Sequence, residues 1–368
     1  MSKKISIILS LSLVLLLTNC SDDTEQVNED SNQVLEERNK RRIAVGKKIF
    51  FDTTLSTPTG QSCASCHDPK SGFADPSKTA SSTGANTALK GDRNAPTSAY
   101  TAHIPEFRLD EKLNDYVGGQ FLDGRAKTLA EQAKGSLLNP NEMANISKRA
   151  VVDKIENSVY IKDVYAIYGE DTFKDDTETA YDIIANLLAS YEKSEEMNPF
   201  TSKYDYYLEG KVELSKDELN GLELFNGKGQ CFICHNSVTP ADGGHSRNTN
   251  KPLFSTYRYY NLGLPKNGKV ADLGLGATLN NPAQNGKFKV PTLRNIELTS
   301  PYMHNGSLKT LVDVIDFYST RESDKTRWGE PEIAETVTNE GIGDLQLTPK
   351  ETFDIVSFLK TLTDGYIL

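Results

Sequence analysis

Cys63-Ala64-Ser65-Cys66-His67 sets two thiols three positions apart and an imidazole directly after the second. That spacing suits covalent attachment of a c-type haem: the thiols add across two vinyl groups and the histidine supplies the proximal nitrogen to iron. The pattern returns as Cys231-Phe232-Ile233-Cys234-His235, so the two copies use every cysteine except Cys20. A zinc ribbon also pairs C-x-x-C units. It leaves the histidine after each pair without a role and needs about 165 residues between pairs, far beyond ribbon spacing. The favoured reading is a protein with two covalently bound haems.

Catalysis requires that one iron keep an open face. Of five histidines, two belong to the motifs; the others are His103, His245 and His304. None lies between His67 and His103, and the first methionine after the leader is Met143. The far side of the first haem therefore has few strong ligands, and an open iron is where a small oxidant such as peroxide binds. His103 and His245 sit in polar stretches and are expected to be solvated.

The elements that must position these groups are helices. One is expected from Leu35 to Phe51, with Gly46 four residues before Phe50, and a second from Lys216 to Phe225, with Gly221 four residues before Phe225. Gly and Phe at i and i+4 share a face, so a partner helix approaches the glycine closely while the ring packs beside it. Ser215-Lys216-Asp217-Glu218 is a capping-box pattern, and Thr348-Pro349-Lys350-Glu351 is another start signal. Helical periodicity also marks Thr128–Leu137, Ser147–Tyr168 and Thr179–Tyr191. Long irregular stretches, about 71–101 and 236–301, lie between them. The expected fold is mostly α, two cytochrome c-like domains with long loops and little strand. The expected divisions are 1–20 leader, 21–34 acidic disordered tether, 35–198 first haem domain and 199–368 second haem domain.

At 368 residues and 37% apolar content the chain suits a globular protein of two domains. Its formal net charge of −10 argues against nucleic acid and permits a basic redox partner. Lys3 and Lys4 precede an apolar run from Ile5 to Leu17 that is too short to span a bilayer. Leu17-Thr18-Asn19-Cys20 then resembles a lipoprotein processing box, with Asn19 departing from the usual small residue. The expectation is export to the periplasm or cell envelope, with a membrane anchor through lipidated Cys20.

Phe121-Leu122-Asp123-Gly124-Arg125-Ala126, followed by Leu129, Gln132, Asn139-Pro140 and Glu142-Met143, resembles a signature of bacterial dihaem cytochrome c peroxidases and MauG-type enzymes. Arg93-Asn94-Ala95-Pro96-Thr97 and Thr299-Ser300-Pro301-Tyr302-Met303-His304-Asn305-Gly306 are similar to two further signatures of that family. The resemblance implies Glu142 as distal acid–base group and Gln132 as the residue positioning the oxidant. It implies calcium held by the Asn94 side chain and the carbonyls of Thr299 and Pro301. The family's loop histidine would fall near Thr83, where none exists, so the first haem is expected to be five-coordinate or water-bound without prior reduction. Fourteen residues after His304, where peroxidases place an axial methionine and MauG-type enzymes a tyrosine, stands Tyr318; Met303 is the alternative ligand. The family's inter-haem tryptophan falls at Leu122. Trp328, the single tryptophan, reads as a packing residue, and His304 as a residue of the haem edge or domain interface. The implied activity is reduction of hydrogen peroxide with electrons from a small cytochrome c or copper protein. Alternatives are a MauG-like oxidase acting on a partner protein and a dihaem electron carrier. Dimers are common in the family.

Overall fold

Close helix crossings at two glycines frame the two haem motifs. The computed structural model describes residues 22–237, 251–268, 270–339 and 341–368; the leader with Cys20 and the stretch with His245 lie outside the described residues. The chain divides into two compact units, Met1–Arg41 and Arg42–Leu368. Helix α1 (Asp22–Phe51) starts well before Leu35, so the stretch expected as a disordered tether is helical instead. No glycine or proline interrupts residues 22–45, and acidic residues favour a helix start. The exposed pairs Lys40–Glu36 and Arg41–Glu37, one turn apart, sustain a stretch that has no apolar face.

The larger unit is mostly helical. Its N-terminal half continues with α2 (Cys63–Cys66), α3 (Leu129–Leu138), α4 (Lys148–Glu156), α5 (Ile161–Tyr168), α6 (Glu170–Asp175) and α7 (Thr177–Glu192). Helices α8 (Lys203–Leu208) and α9 (Lys216–Asn226) precede the second motif. It is followed by α10 (Leu275–Leu279), α11 (Leu311–Thr320), α12 (Lys325–Trp328) and α13 (Pro349–Lys360). Among the described residues, strand is confined to two short antiparallel pairs, β1 (Arg108–Asp110) with β2 (Asp115–Val117) and β3 (Tyr259–Tyr260) with β4 (Phe288–Lys289). The helix expected over Ser147–Tyr168 is two helices. Asn157 caps α4, and the break lets the Tyr160 hydroxyl reach Asp52 Oδ2 at 2.6 Å.

At Gly46 a Cβ would collide with the Leu187 carbonyl, so α1 lies directly on α7, with Phe50 edge-on to Tyr191 at 5.2 Å. At Gly221 a Cβ would collide with the Asp354 carbonyl and sit 2.8 Å from Phe358 Cβ. Helix α9 thereby lies on α13, with Phe225 edge-on to Phe358 at 5.3 Å. Each half thus closes the helix ahead of its haem motif against its own last long helix. Capping boxes at Ser215 and Thr348 fix the starts of α9 and α13.

Gly221→Ala is expected to destabilise the folded protein by about 1–3 kcal/mol, because overpacking at the crossing outweighs alanine's better helix propensity. A urea midpoint unchanged by the substitution would contradict the crossing.

The boundary expected near Asn198–Pro199 does not split the larger unit. Two apolar cores lie within it. One gathers α1, α3, α4 and α7 residues and also takes Phe200, Leu253 and Tyr257 from beyond that boundary. The other gathers Phe225, Phe254, Phe317 and Phe358. Backbone pairing helps join the halves: Gly118 N donates to Tyr257 O at 3.0 Å and Lys289 N to Leu122 O at 2.8 Å.

Candidate active site and haem-binding cavity

Cys63 and Cys66 lie on the one-turn helix α2, which Ser62 and Ser65 close with a reciprocal capping box. His67 follows as its C-terminal cap, and its Nδ1 donates to the Phe73 carbonyl at 3.1 Å. In the second motif His235 Nδ1 donates to the Phe254 carbonyl at 2.8 Å. A carbonyl can only accept, so in each ring the proton is on Nδ1 and Nε2 is left as a lone-pair donor, the arrangement of a metal-bound histidine. Burial lowers both imidazoles, His235 to about 4, and keeps them neutral.

The two acceptor loops are built alike. Phe73 and Phe254 both adopt left-handed backbone, φ 58° and 53°, which is rare for a bulky side chain. In one, Thr97 Oγ1 donates to the Gly72 carbonyl at 2.6 Å; in the other, Thr292 Oγ1 donates to the Leu253 carbonyl at 2.7 Å. Each threonine follows a proline, Pro96 and Pro291. Sequence reasoning missed this pair of braces. The carbonyls lie 6 and 19 positions after their histidines, so spacing hides the repeat. The recurring Pro-Thr dipeptide was the available signal.

Both motifs line one cavity of about 1190 Å³ with largely apolar walls. That exceeds the usual small-ligand range of about 300–1,000 Å³. The four cysteines are free thiols rather than disulfides, and burial pushes Cys63 and Cys231 up to about 12. Cysteines outside any disulfide, neutral histidines with Nδ1 held by a carbonyl and a large apolar cavity fit two covalently held haems.

Gln132 and Glu142 both line this cavity, as do His67 and Cys66. Thr128 caps α3, which carries Gln132 with its Nε2 donating to Ser136 Oγ at 3.0 Å. Glu142 sits in the turn that follows α3 and accepts from Asn139 Nδ2 at 2.7 Å. Its backbone is fixed from outside: Ala85 N donates to Glu142 O at 2.8 Å, and Gly84 packs against Asn141 with no room for a Cβ. The 81–91 loop, where the family's loop histidine would lie, is thus docked on the Glu142 turn. Thr83 itself is exposed, and its carbonyl takes the Gln61 amide at 2.9 Å.

Tyr318 projects from α11 into the cavity beside the second motif. Burial, reinforced by Cys234 and Cys231, raises its phenol. Met303 and Leu122 also line the cavity. Asn94, Thr299 and Pro301 all line the cavity, and Asn94 N donates to His304 O at 2.8 Å. An amide and carbonyls form an oxygen-only donor set, which suits a hard cation. His304 stacks on Phe288 at 3.8 Å with its Nε2 3.4 Å from Glu332 Oε2. Trp328 packs edge-on to Phe317 at 5.3 Å and donates Nε1 to Thr320 Oγ1.

His103 corrects the expectation of a solvated side chain. It is half-buried at 5.5 Å from Phe200, and burial together with the Arg294 charge lowers it to about 4. A second residue sequence reasoning missed is Lys289. It is buried, its Nζ donates to the carbonyls of Gly119 and Phe121, and burial lowers it to about 7. It holds the loop that carries Leu122 against the cavity. Only its place in an apolar strand, Phe288-Lys289-Val290, could have drawn attention to it.

Fold and cavity together define a two-haem protein of the c-type class. Residues 40–213 match the family model described as di-haem cytochrome c peroxidase. The chain is 37% identical over 349 residues to methylamine utilization protein MauG of Paracoccus denitrificans, covering 87% of this chain and 88% of the relative. It is 34% identical over 326 residues to cytochrome c551 peroxidase of Nitrosomonas europaea, covering 87% and 79%. The crystal structure of diheme peroxidase BthA from Burkholderia thailandensis superposes with TM-score 0.78 at 31% identity, covering 88% and 86% of the two chains. The chain belongs to the di-haem cytochrome c peroxidase family, an oxidoreductase family that carries two c-type haems.

Proposed function

We propose that this enzyme reduces hydrogen peroxide to two waters, taking two protons and two electrons, with a small cytochrome c or copper protein as donor. The haem held by Cys63, Cys66 and His67 supplies, when bound, the iron at which peroxide is reduced, and the haem on Cys231, Cys234 and His235 a second redox centre. Glu142 takes the proton from the inner peroxide oxygen and returns it to the outer one, which leaves as water. Gln132 orients the oxidant. Tyr318, near Cys231 and Cys234, would supply a phenolic oxygen to the haem of the His235 site. Asn94 with the Thr299 and Pro301 carbonyls holds a calcium ion, and Cys20 tethers the exported protein to a membrane.

The observation that carries this reading is the shared cavity lined by Glu142, Gln132 and His67, with the 81–91 loop docked on the Glu142 turn and lacking a histidine. The fully oxidised holoprotein is therefore expected to consume peroxide at full rate with a reduced small cytochrome c, without prior reduction. A lag abolished only by pre-reducing one haem would overturn the ready state. A MauG-like oxidation of a partner protein is the second reading, favoured by Tyr318 and by 37% identity to the Paracoccus protein. It predicts slow peroxide loss with the cytochrome.

A further inference from the structure

Six acidic residues line the cavity, and five have a visible place. Asp123 and Asp272 pair with Arg93, Glu332 faces His304, Glu142 takes the Asn139 amide, and Asp92 is exposed. Glu192 has none of these. It is the last residue of α7, only 6% exposed, and its Oε2 is sealed from solvent without a hydrogen-bond partner. It lies close enough to Cys63 to raise that thiol. A buried carboxylate without a donor is costly, and a sequence that keeps one beside a cofactor attachment point keeps a group whose charge state responds to that cofactor.

We propose that Glu192 is the redox-linked proton acceptor of the N-terminal haem site, binding one proton from solvent at its carboxylate when that site gains one electron and releasing it on reoxidation. An extra positive charge in the cavity stabilises the carboxylate; its cancellation by an electron restores the acid. Burial in the protein alone pushes Glu192 up to about 8, opposed only by the Lys193 charge, so the group lies near enough to neutrality to change state. Of the other titratable groups at this site, Glu142 also acts on Cys63 and is told apart by its own variant below. Cys63, facing it from α2, is blocked once alkylated by haem, and burial raises Tyr191 on its own helix. From the 98–104 segment Tyr100 commits its hydroxyl to Asp364, and Glu196 is paired with Lys47. Phe50 is the contribution from α1.

The proposal rests on a haem at Cys63 and Cys66 but not on peroxide turnover, so a redox titration separates the two. In the holoprotein, the potential of the N-terminal haem is expected to fall by about 59 mV per pH unit around neutrality, one proton per electron. With Glu192→Gln the dependence is expected to flatten. A flat wild-type profile, or the same slope in Glu192→Gln, overturns the assignment. Should Glu192→Gln fail to accumulate, the wild type serves through redox-difference infrared spectra with isotope-labelled glutamate. A labelled carboxylic-acid C=O band must appear on reduction and persist in Glu142→Gln. Absence of the band, or its loss in Glu142→Gln, also overturns it.

Discussion

Glu142→Gln is expected to lower peroxide turnover by about 10²–10⁴-fold, the range for losing a positioned general acid–base group. Glutamine keeps the shape and still accepts from Asn139 Nδ2 through its carbonyl oxygen, so the turn and the docked 81–91 loop have no reason to move. What disappears is the capacity to carry a proton between the two peroxide oxygens. Stopped-flow measurement of peroxide loss, with both haem spectra recorded on the same samples, checks this. Unaltered spectra with turnover within tenfold of wild type would remove Glu142 from the chemistry.

Asp205→Asn is expected to cost about 3–5 kcal/mol of folding stability, as breaking one side of a fully buried ion pair does. Arg294 donates Nη1 to Asp205 Oδ2 at 2.6 Å and Nη2 to Oδ1 at 2.9 Å, with both side chains at 0% exposure. It also donates to the Pro252 carbonyl and stacks over Phe200 at 4.7 Å. Asparagine leaves the guanidinium buried and uncompensated. Burial alone would raise the Asp205 carboxyl, but the hydrogen bonds and charge of Arg294 outweigh it and hold the group below its ordinary value. A lowered folded-state value gives stability that is present above the unfolded value of about 3.9 and is lost as pH falls through the folded one. Wild type should thus lose stability at acid pH over a range where Asp205→Asn changes less. Chemical denaturation at neutral and acid pH tests both parts. Replacing the pair together, Asp205→Leu with Arg294→Met, is expected to recover part of the loss.

The parts of this fold that could be read from the chain are those whose cause is local. Cysteine and histidine spacing announces attachment sites because the macrocycle fixes that spacing. Gly46 with Phe50 and Gly221 with Phe225 announce close crossings because i and i+4 share a face. Ser215 and Thr348 announce helix starts because capping is a contact over three residues. What escaped depends on partners far away in sequence. Asn157 to Tyr160 breaks an apparently continuous periodicity because Tyr160 is needed at Asp52, 108 positions earlier. His103 looks like a loop residue until Phe200 and Arg294 arrive beside it. The upstream part of α1 escapes for another reason: strong polarity reads as disorder, although its residues form helix well.

The crossing of α9 on α13 also orders events during synthesis. Lys350 at the start of α13 bonds Asp217 at the start of α9 across 133 positions. At translation rates of about 5–20 residues per second, several seconds separate the emergence of these two helices. Through that interval Cys231 and Cys234 belong to a chain whose closing wall does not yet exist. A nascent chain therefore offers the second pair of thiols openly, and the arrival of α13 ends that access.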